Sequence, residues 1–386
     1  MTLRLAISVA LITFALGLTA CRPHDFPEYP PDYREYAYVT NGSSGTVTVI
    51  DVVNVRVDRE LPVGQNPVAV AASPTRNEIY ILNSGAESSF AQGSVSVIDA
   101  ESNAVIATIA VHRRPVSIDI DAGGALAYVA NSGSNTISVL DLRARREIAV
   151  IGSGEVPVSA RIAPDGNTLV VANRSGNSVS LIDPATRSVR AVFGGCPGAG
   201  DAVILPDSSK TFVACSAGHQ VMAIALAHSK ANPNQPDRLE SLMDVGRAPL
   251  QLALKPDGGE IFASNSLADS ISEVVTTTDD VGGAYMIGSD PVRGLVSADN
   301  SMLYVADFQS QYVTPYAIDD GKRLGSIHVG DGPSALAFSS AGHLLFVVDT
   351  RSSDIAVVRT ASRSLFTMLP TGRAPNAIAV KAFKLP

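Results

Sequence analysis

LAYVANSGSNTISVLDLRARREIAVIGSGEVPVSARIAPDG, residues 126–166, holds one complete copy of the pattern from which the chain is built. Residues 126–130 are a short apolar run that ends at Asn131 and breaks into Ser132-Gly133-Ser134-Asn135. Residues 136–141 (TISVLD) alternate apolar and polar at period two, the mark of a strand with unlike faces. Residues 147–151 form a third strand. Gly154 and Pro157 interrupt, PVSARIAP (157–164) is a fourth strand, and Asp165-Gly166 is a hairpin-type turn into the next copy. Four antiparallel strands joined by tight turns make one blade of a β-propeller.

The same paragraph recurs eight times. Its tetrads are YVTN (38–41), YILN (80–83), YVAN (128–131), VVAN (170–173), FVAC (212–215), FASN (262–265), YVAD (304–307) and FVVD (346–349). Five of the seven spacings are 42 residues, and insertions at 87–92 and 227–238 lengthen the other two. A period of this length means a unit that buries its faces only against copies of itself. The expected fold is all-β, an eight-bladed propeller, with seven blades the alternative if one worn copy is a decoration. The innermost strands begin near Pro67, Pro115, Pro157, Ala199, Pro249, Pro291, Pro333 and Pro375. The first copy has no inner strand ahead of it, so 376–381 should complete the first blade and close the ring, removing free edges.

The tetrads YVTN, YVAN and VVAN, a following strand ending in Ile-Asp (Ile50-Asp51, Ile98-Asp99, Ile182-Asp183) and a Val63-Gly64…Pro67 loop resemble the YVTN-type β-propeller repeat over residues 37–383. That resemblance implies a propeller and a place at the cell surface or in the periplasm. Related propellers include lactonases and quinoprotein or haem enzymes. Cys215, Asp307 and Asp349 depart from the pattern by replacing the tetrad Asn.

Residues 1–20 read as a secretory signal: Arg4, then an apolar run from Leu5 to Leu18 that is too short to span a membrane. Leu18-Thr19-Ala20-Cys21 resembles the bacterial lipobox, which implies cleavage before Cys21 and lipidation of that residue. Several acyl chains anchor a protein far more firmly than one. Residues 21–36, with four prolines, read as an extended tether, and 37–386 as a single propeller domain. The whole chain carries 29 Lys+Arg against 37 Asp+Glu, a net charge of −8, and no Trp. Such a balance argues against nucleic acid as partner. The expected partners are the membrane, through the lipid, and a small molecule or envelope protein, with the chain a monomer.

Chemistry-bearing motifs are sparse. The sequence has no Cys-x-x-Cys-His, no His-Glu-x-x-His and no Gly-x-Ser-x-Gly, and its six histidines are scattered. No catalytic residue, metal or cofactor is therefore assigned. Beyond Cys21, Cys196 and Cys215 remain; they lie at one end of one blade and are either a disulfide or two buried thiols. The repeated Asn falls where a strand breaks into a turn, and bonding to the turn accounts for it.

The irregular positions are better ligand candidates. Inner-strand positions two and four past the Pro are usually small, as at Ala69, Ala71, Ala335, Ala337, Ala377 and Ala379, and against that background Asp119, Arg161, Asp201, Gln251 and Arg293 stand out as channel-lining residues. His112, Arg113, Arg114 and Arg247 lie in the loops leading into the inner strands, on the same face. These nine are the candidate binding residues, with a structural ion network as the competing explanation. The preferred reading is a lipid-anchored, extracytoplasmic, non-catalytic binding or interaction propeller. A lactonase-like or quinoprotein-like enzyme with its site at the channel mouth is the alternative.

Overall fold

A computed structural model describes residues 27–86, 91–227 and 235–385. Cys21, the signal segment and the central parts of both insertions (87–90 and 228–234) lie outside the described residues. Eight four-stranded antiparallel blades follow one another around a ring. Their inner strands, from the first blade to the eighth, are Pro375–Lys384, Pro67–Ala72, Pro115–Ile120, Pro157–Ile162, Ala199–Ile204, Pro249–Leu254, Pro291–Val296 and Pro333–Phe338. The seventh blade's outer strand is broken into Lys322–Arg323 and Ile327–His328. One 3-10 turn, Ser266–Ala268, is the single helical element among the described residues.

Burial explains the ring. Eight apolar clusters occur among the described residues, and each draws side chains from two neighbouring blades. One joins Val170, Leu181 and Ala172 of the fourth blade to Val213, Met222 and Ile224 of the fifth. A lone blade would expose both faces to water, so the seams supply the hydrophobic stabilisation.

Closure runs through the chain ends. Tyr33–Asn41 pairs antiparallel with Pro375–Lys384, from Tyr33↔Lys384 to Asn41↔Pro375. The strand begins at Tyr33, so the segment expected to be a free tether as far as residue 36 is docked from Tyr29 onward. The Tyr29 ring stacks on Tyr33 at 4.6 Å, and Tyr33 Oη donates to Glu35 Oε2 at 2.8 Å. Buried Glu35 also accepts from the Ser340 N–H at 2.6 Å, tying the segment to the eighth blade. Prolines dominate the look of this stretch, but its tyrosines decide its placement.

The tetrad Asn is buried, and it grips the next strand instead of its own turn. Asn41 Nδ2 reaches Thr48 Oγ1 at 2.9 Å, Asn131 reaches Ser138 at 2.9 Å, and Asn173 and Asn265 reach Ser180 and Ser272 at 2.9 Å. Asn83 reaches Ser96 at 3.0 Å across the insertion. The same Asn packs on the glycine of the lead-in loop: a Cβ at Gly64 would sit 2.6 Å from Asn83 Cγ, and one at Gly154 2.7 Å from Asn173 Cγ. This contact is why the loop needs Gly.

Blades five, seven and eight vary that contact. In the fifth, Cys196 stands at the Gly position and Cys215 at the Asn position, with sulfur atoms 2.07 Å apart and Cα atoms 4.8 Å apart. A tight turn, Ala199 N–H to Cys196 C=O at 3.1 Å, brings the loop back over the strand end. In the seventh and eighth, Asp307 and Asp349 replace Asn. Desolvation raises Asp307 to about 7, opposed by the Thr314 hydroxyl, and raises Asp349 to about 8, opposed by the Gly330 N–H.

Two predictions follow from these contacts. Deleting residues 374–386 strips the first blade of its inner strand and should lower the melting temperature by many degrees; an unchanged melting curve would make the segment a dispensable tail. The buried aspartates hold their protons in the fold while the unfolded chain ionises near pH 4. Their stabilisation is therefore complete below about pH 4 and is lost as pH rises toward 7–8, by on the order of 4–6 kcal/mol per site. Asp307→Asn and Asp349→Asn should thus raise the melting temperature much more at pH 8 than at pH 4.5. Equal gains at both pH values would contradict the assignment.

Candidate functional site

The inner strands face the central channel with one hydrogen-bonding edge unpaired by any sheet. A bulge after the first residue of these strands (for example between Pro157 and Ser159, and between Pro291 and Arg293) re-aims the side chains that follow. The residue ahead of each inner strand sits at positive φ, including Arg114 at 48° and Val156 at 53°, and turns the chain inward.

Polar side chains bridge from one inner strand to the next. Ser117 Oγ accepts from the Ala160 N–H at 3.3 Å, and Asp119 Oδ2 from the Ile162 N–H at 2.9 Å. Asp201 Oδ2 accepts from the Leu252 N–H at 3.2 Å, and Gln251 Oε1 from the Gly294 N–H at 2.7 Å. Each acceptor satisfies an edge N–H of the following blade. An edge donor left without a partner would carry a desolvation penalty.

The channel charges then sort themselves. Arg161 donates to Asp201 Oδ1 at 3.3 Å. Burial pulls the Arg161 pKa down, but Asp201 and Asp119 outweigh it and hold it above its usual value. Desolvation pushes Asp119 up, with Arg161 and the Ile162 N–H opposing. Arg293 differs: it makes no hydrogen bond or ion pair within the described residues. Desolvation lowers its pKa, and Arg161, a like charge, lowers it further against the attraction of Asp201. It is ringed by protein yet open to the water of the channel.

Two cavities meet at this belt. The upper one, about 400 Å³, is lined by Arg161, Asp201, Gln251 and Arg293, by Arg174 at the rim, and by Val68, Val116, Val158 and Leu250. The lower one, about 260 Å³, adds Asp119 and the apolar ends of the inner strands. Of the nine sequence candidates, Asp119, Arg161, Asp201, Gln251 and Arg293 are therefore brought together.

The other four line neither cavity. His112 extends the second blade's outer strand and lies 3.5 Å from Glu147 across a blade seam. The Arg113 N–H donates to Ser134 Oγ at 3.0 Å, the Arg114 C=O accepts from Ser132 Oγ at 2.8 Å, and Arg247 donates to the Leu267 C=O at 2.7 Å. These loops run along the rim and pin neighbouring turns. Arg174 escaped the sequence reading, although its position, directly after the tetrad, holds Gly or Ser in five other copies. No group of three or more His, Cys, Asp or Glu is placed to hold a metal among the described residues.

Solved structures share the architecture. AztD of Citrobacter koseri, in its apo form, superposes with a TM-score of 0.68 at 14% identity, over 91% of this chain and 98% of that one. Dihydro-heme d1 dehydrogenase NirN, in complex with DHE, gives 0.70 at 14%, over 89% and 74%. A putative 6-phosphogluconolactonase of Bacteroides uniformis gives 0.63 at 14%, over 91% and 100%. At these identities the likeness shows the fold alone. No protein-family profile and no curated protein sequence matches the chain.

The belt yields a paired prediction. Asp201→Ala leaves the Leu252 N–H and the Arg161 guanidinium without their acceptor and should cost about 1–3 kcal/mol in chemical denaturation. Arg293→Ala removes no bond and should stay within about 0.5 kcal/mol of the parent. Equal losses in both would mean that Arg293 belongs to the wall. The joint architecture that these residues sit in is an eight-bladed β-propeller with a charged belt across its channel.

Proposed function

We propose that the chain is a YVTN-type propeller lipoprotein, held outside the cytoplasm of a bacterium by Cys21, that binds a small anionic or carbonyl-rich ligand in the upper channel without transforming it. The observation that carries this reading is Arg293: a guanidinium open to the channel, with no partner among the described residues, facing a cavity large enough for a small molecule. Guanidinium forks give strong charge-assisted bonds to oxyanions, and enclosing low-dielectric walls strengthen them. Proteins of this shape are named both as dehydrogenase and as lactonase, so fold does not choose the activity. The chemistry of the belt favours binding: the carboxylates of Asp119 and Asp201 are engaged by backbone N–H groups, and Asp201 also by Arg161.

The anchor and the site are tested in one strain set. Cys21→Ser should move the protein from the membrane fraction to the soluble extracytoplasmic fraction. Replacing Arg161 and Arg293 together by Ala should abolish the thermal shift given by small anions while preserving the circular dichroism spectrum. Retained membrane association would remove the anchor. Undiminished shifts would move the site elsewhere, and conversion of a bound lactone or other carbonyl compound would replace binding with catalysis.

A further inference from the structure

The upper cavity is unbalanced in hydrogen-bonding capacity as well as in charge. Its side-chain acceptors are already used: Asp201 by Arg161 and the Leu252 N–H, Gln251 Oε1 by the Gly294 N–H, and Asn376 Oδ1 by the Thr40 hydroxyl at 2.6 Å. Ser159 Oγ has no partner but is closed off from solvent. The donors are not used up. Among the described residues Arg293 has none of its five N–H groups engaged, and Arg161 shows a single bond to Asp201. Arg174, exposed above them, donates no side-chain bond among the described residues. A ligand that brings acceptors answers these unused donors.

Charge narrows the choice further. Three guanidiniums and one carboxylate line the cavity, an excess of two positive charges. Arg161 comes from the fourth blade and Arg293 from the seventh, so in a ring of eight they reach inward from widely separated walls. A carboxylate offers two oxygens in one plane, which a single guanidinium fork satisfies. A tetrahedral oxyanion offers oxygens in several directions and can accept from both walls and from Arg174 at once. An anion between Arg161 and Arg293 also relieves their mutual repulsion, which adds to the desolvation that lowers the Arg293 pKa.

From this we infer that the site selects a doubly charged tetrahedral oxyanion, a phosphate group either free or esterified. The inference rests on the ligand-binding reading given above. Arg293 and Arg174 are its specificity-determining residues, and Asp201 sets the charge count by cancelling one of the three positive charges.

Isothermal titration of the purified full chain with inorganic phosphate, glycerol phosphate, acetate and succinate tests it. Phosphate or its monoester should bind at least tenfold tighter than acetate or succinate. Which of the two phosphates binds tighter shows whether the free or the esterified form is preferred. Arg293→Gln should weaken phosphate binding at least tenfold with an unchanged melting curve, and Arg293→Lys should restore only part of it. Arg174→Gln, at an exposed position that cannot unfold the ring, should weaken phosphate more than acetate. Acetate or succinate binding as tightly as phosphate would overturn the tetrahedral dianion while leaving an anion site in place. Absence of binding by all four probes would remove both readings, and phosphate binding unaffected by either Arg→Gln variant would place it outside the channel.

Discussion

The eight inner strands present a backbone edge to the channel that no fifth strand covers, and this edge organises the centre of the molecule. Closing the ring removes edges between first and last blade but cannot remove the inward ones. At three of the eight junctions side chains at the second and fourth positions of the inner strands answer the need, each accepting from the next blade: Ser117 and Asp119 toward the fourth, Asp201 toward the sixth, Gln251 toward the seventh. The polarity of the channel is thus first a structural matter. Ligand chemistry begins with what remains once those bonds are made, namely the guanidinium groups.

A second constraint acts at the upper rim, where the end of one strand meets the loop that leads into the inner strand. Four blades join Gly to a buried Asn there, with Gly64, Gly154, Gly246 and Gly372 against Asn83, Asn173, Asn265 and Asn41. The fifth joins Cys196 to Cys215, and the seventh and eighth place a carboxyl in the Asn position. All are solutions to one geometric problem, holding the lead-in loop down on the blade. They differ in their sensitivity to conditions: the amide is indifferent to pH, the aspartates titrate near neutrality, and the cysteine pair depends on an oxidising compartment.

Much of this was legible in the residues. The 42-residue period and the strand alternation around Asn131 imply eight blades, and the orphan inner strand implies closure through the C-terminus. Asp119, Arg161, Asp201, Gln251 and Arg293 could be found because most other copies place a small or apolar residue there, so that a large polar side chain is a deviation. The same logic would have found Arg174, had the position after the tetrad been compared across copies. His112, Arg113, Arg114 and Arg247 line neither cavity: sequence gives the face of the ring on which a loop lies but not its radius. Only the backbone path, with each residue ahead of an inner strand at positive φ, shows that these loops hug the rim. Tyr29 and Tyr33 were hidden for another reason: prolines signal extension locally, whereas stacking and the Glu35 bond are tertiary.

The central claim is that Arg161 and Arg293 form an oxyanion clamp left over from the channel's structural bonding. Anomalous diffraction from crystals soaked in dilute selenate, a tetrahedral dianion that can be located by its own scattering, tests it most directly. The account predicts a selenium peak between the two guanidiniums, and its loss in crystals of Arg293→Gln. A channel without selenium, in crystals whose anomalous peaks all lie on the outer surface, would contradict it.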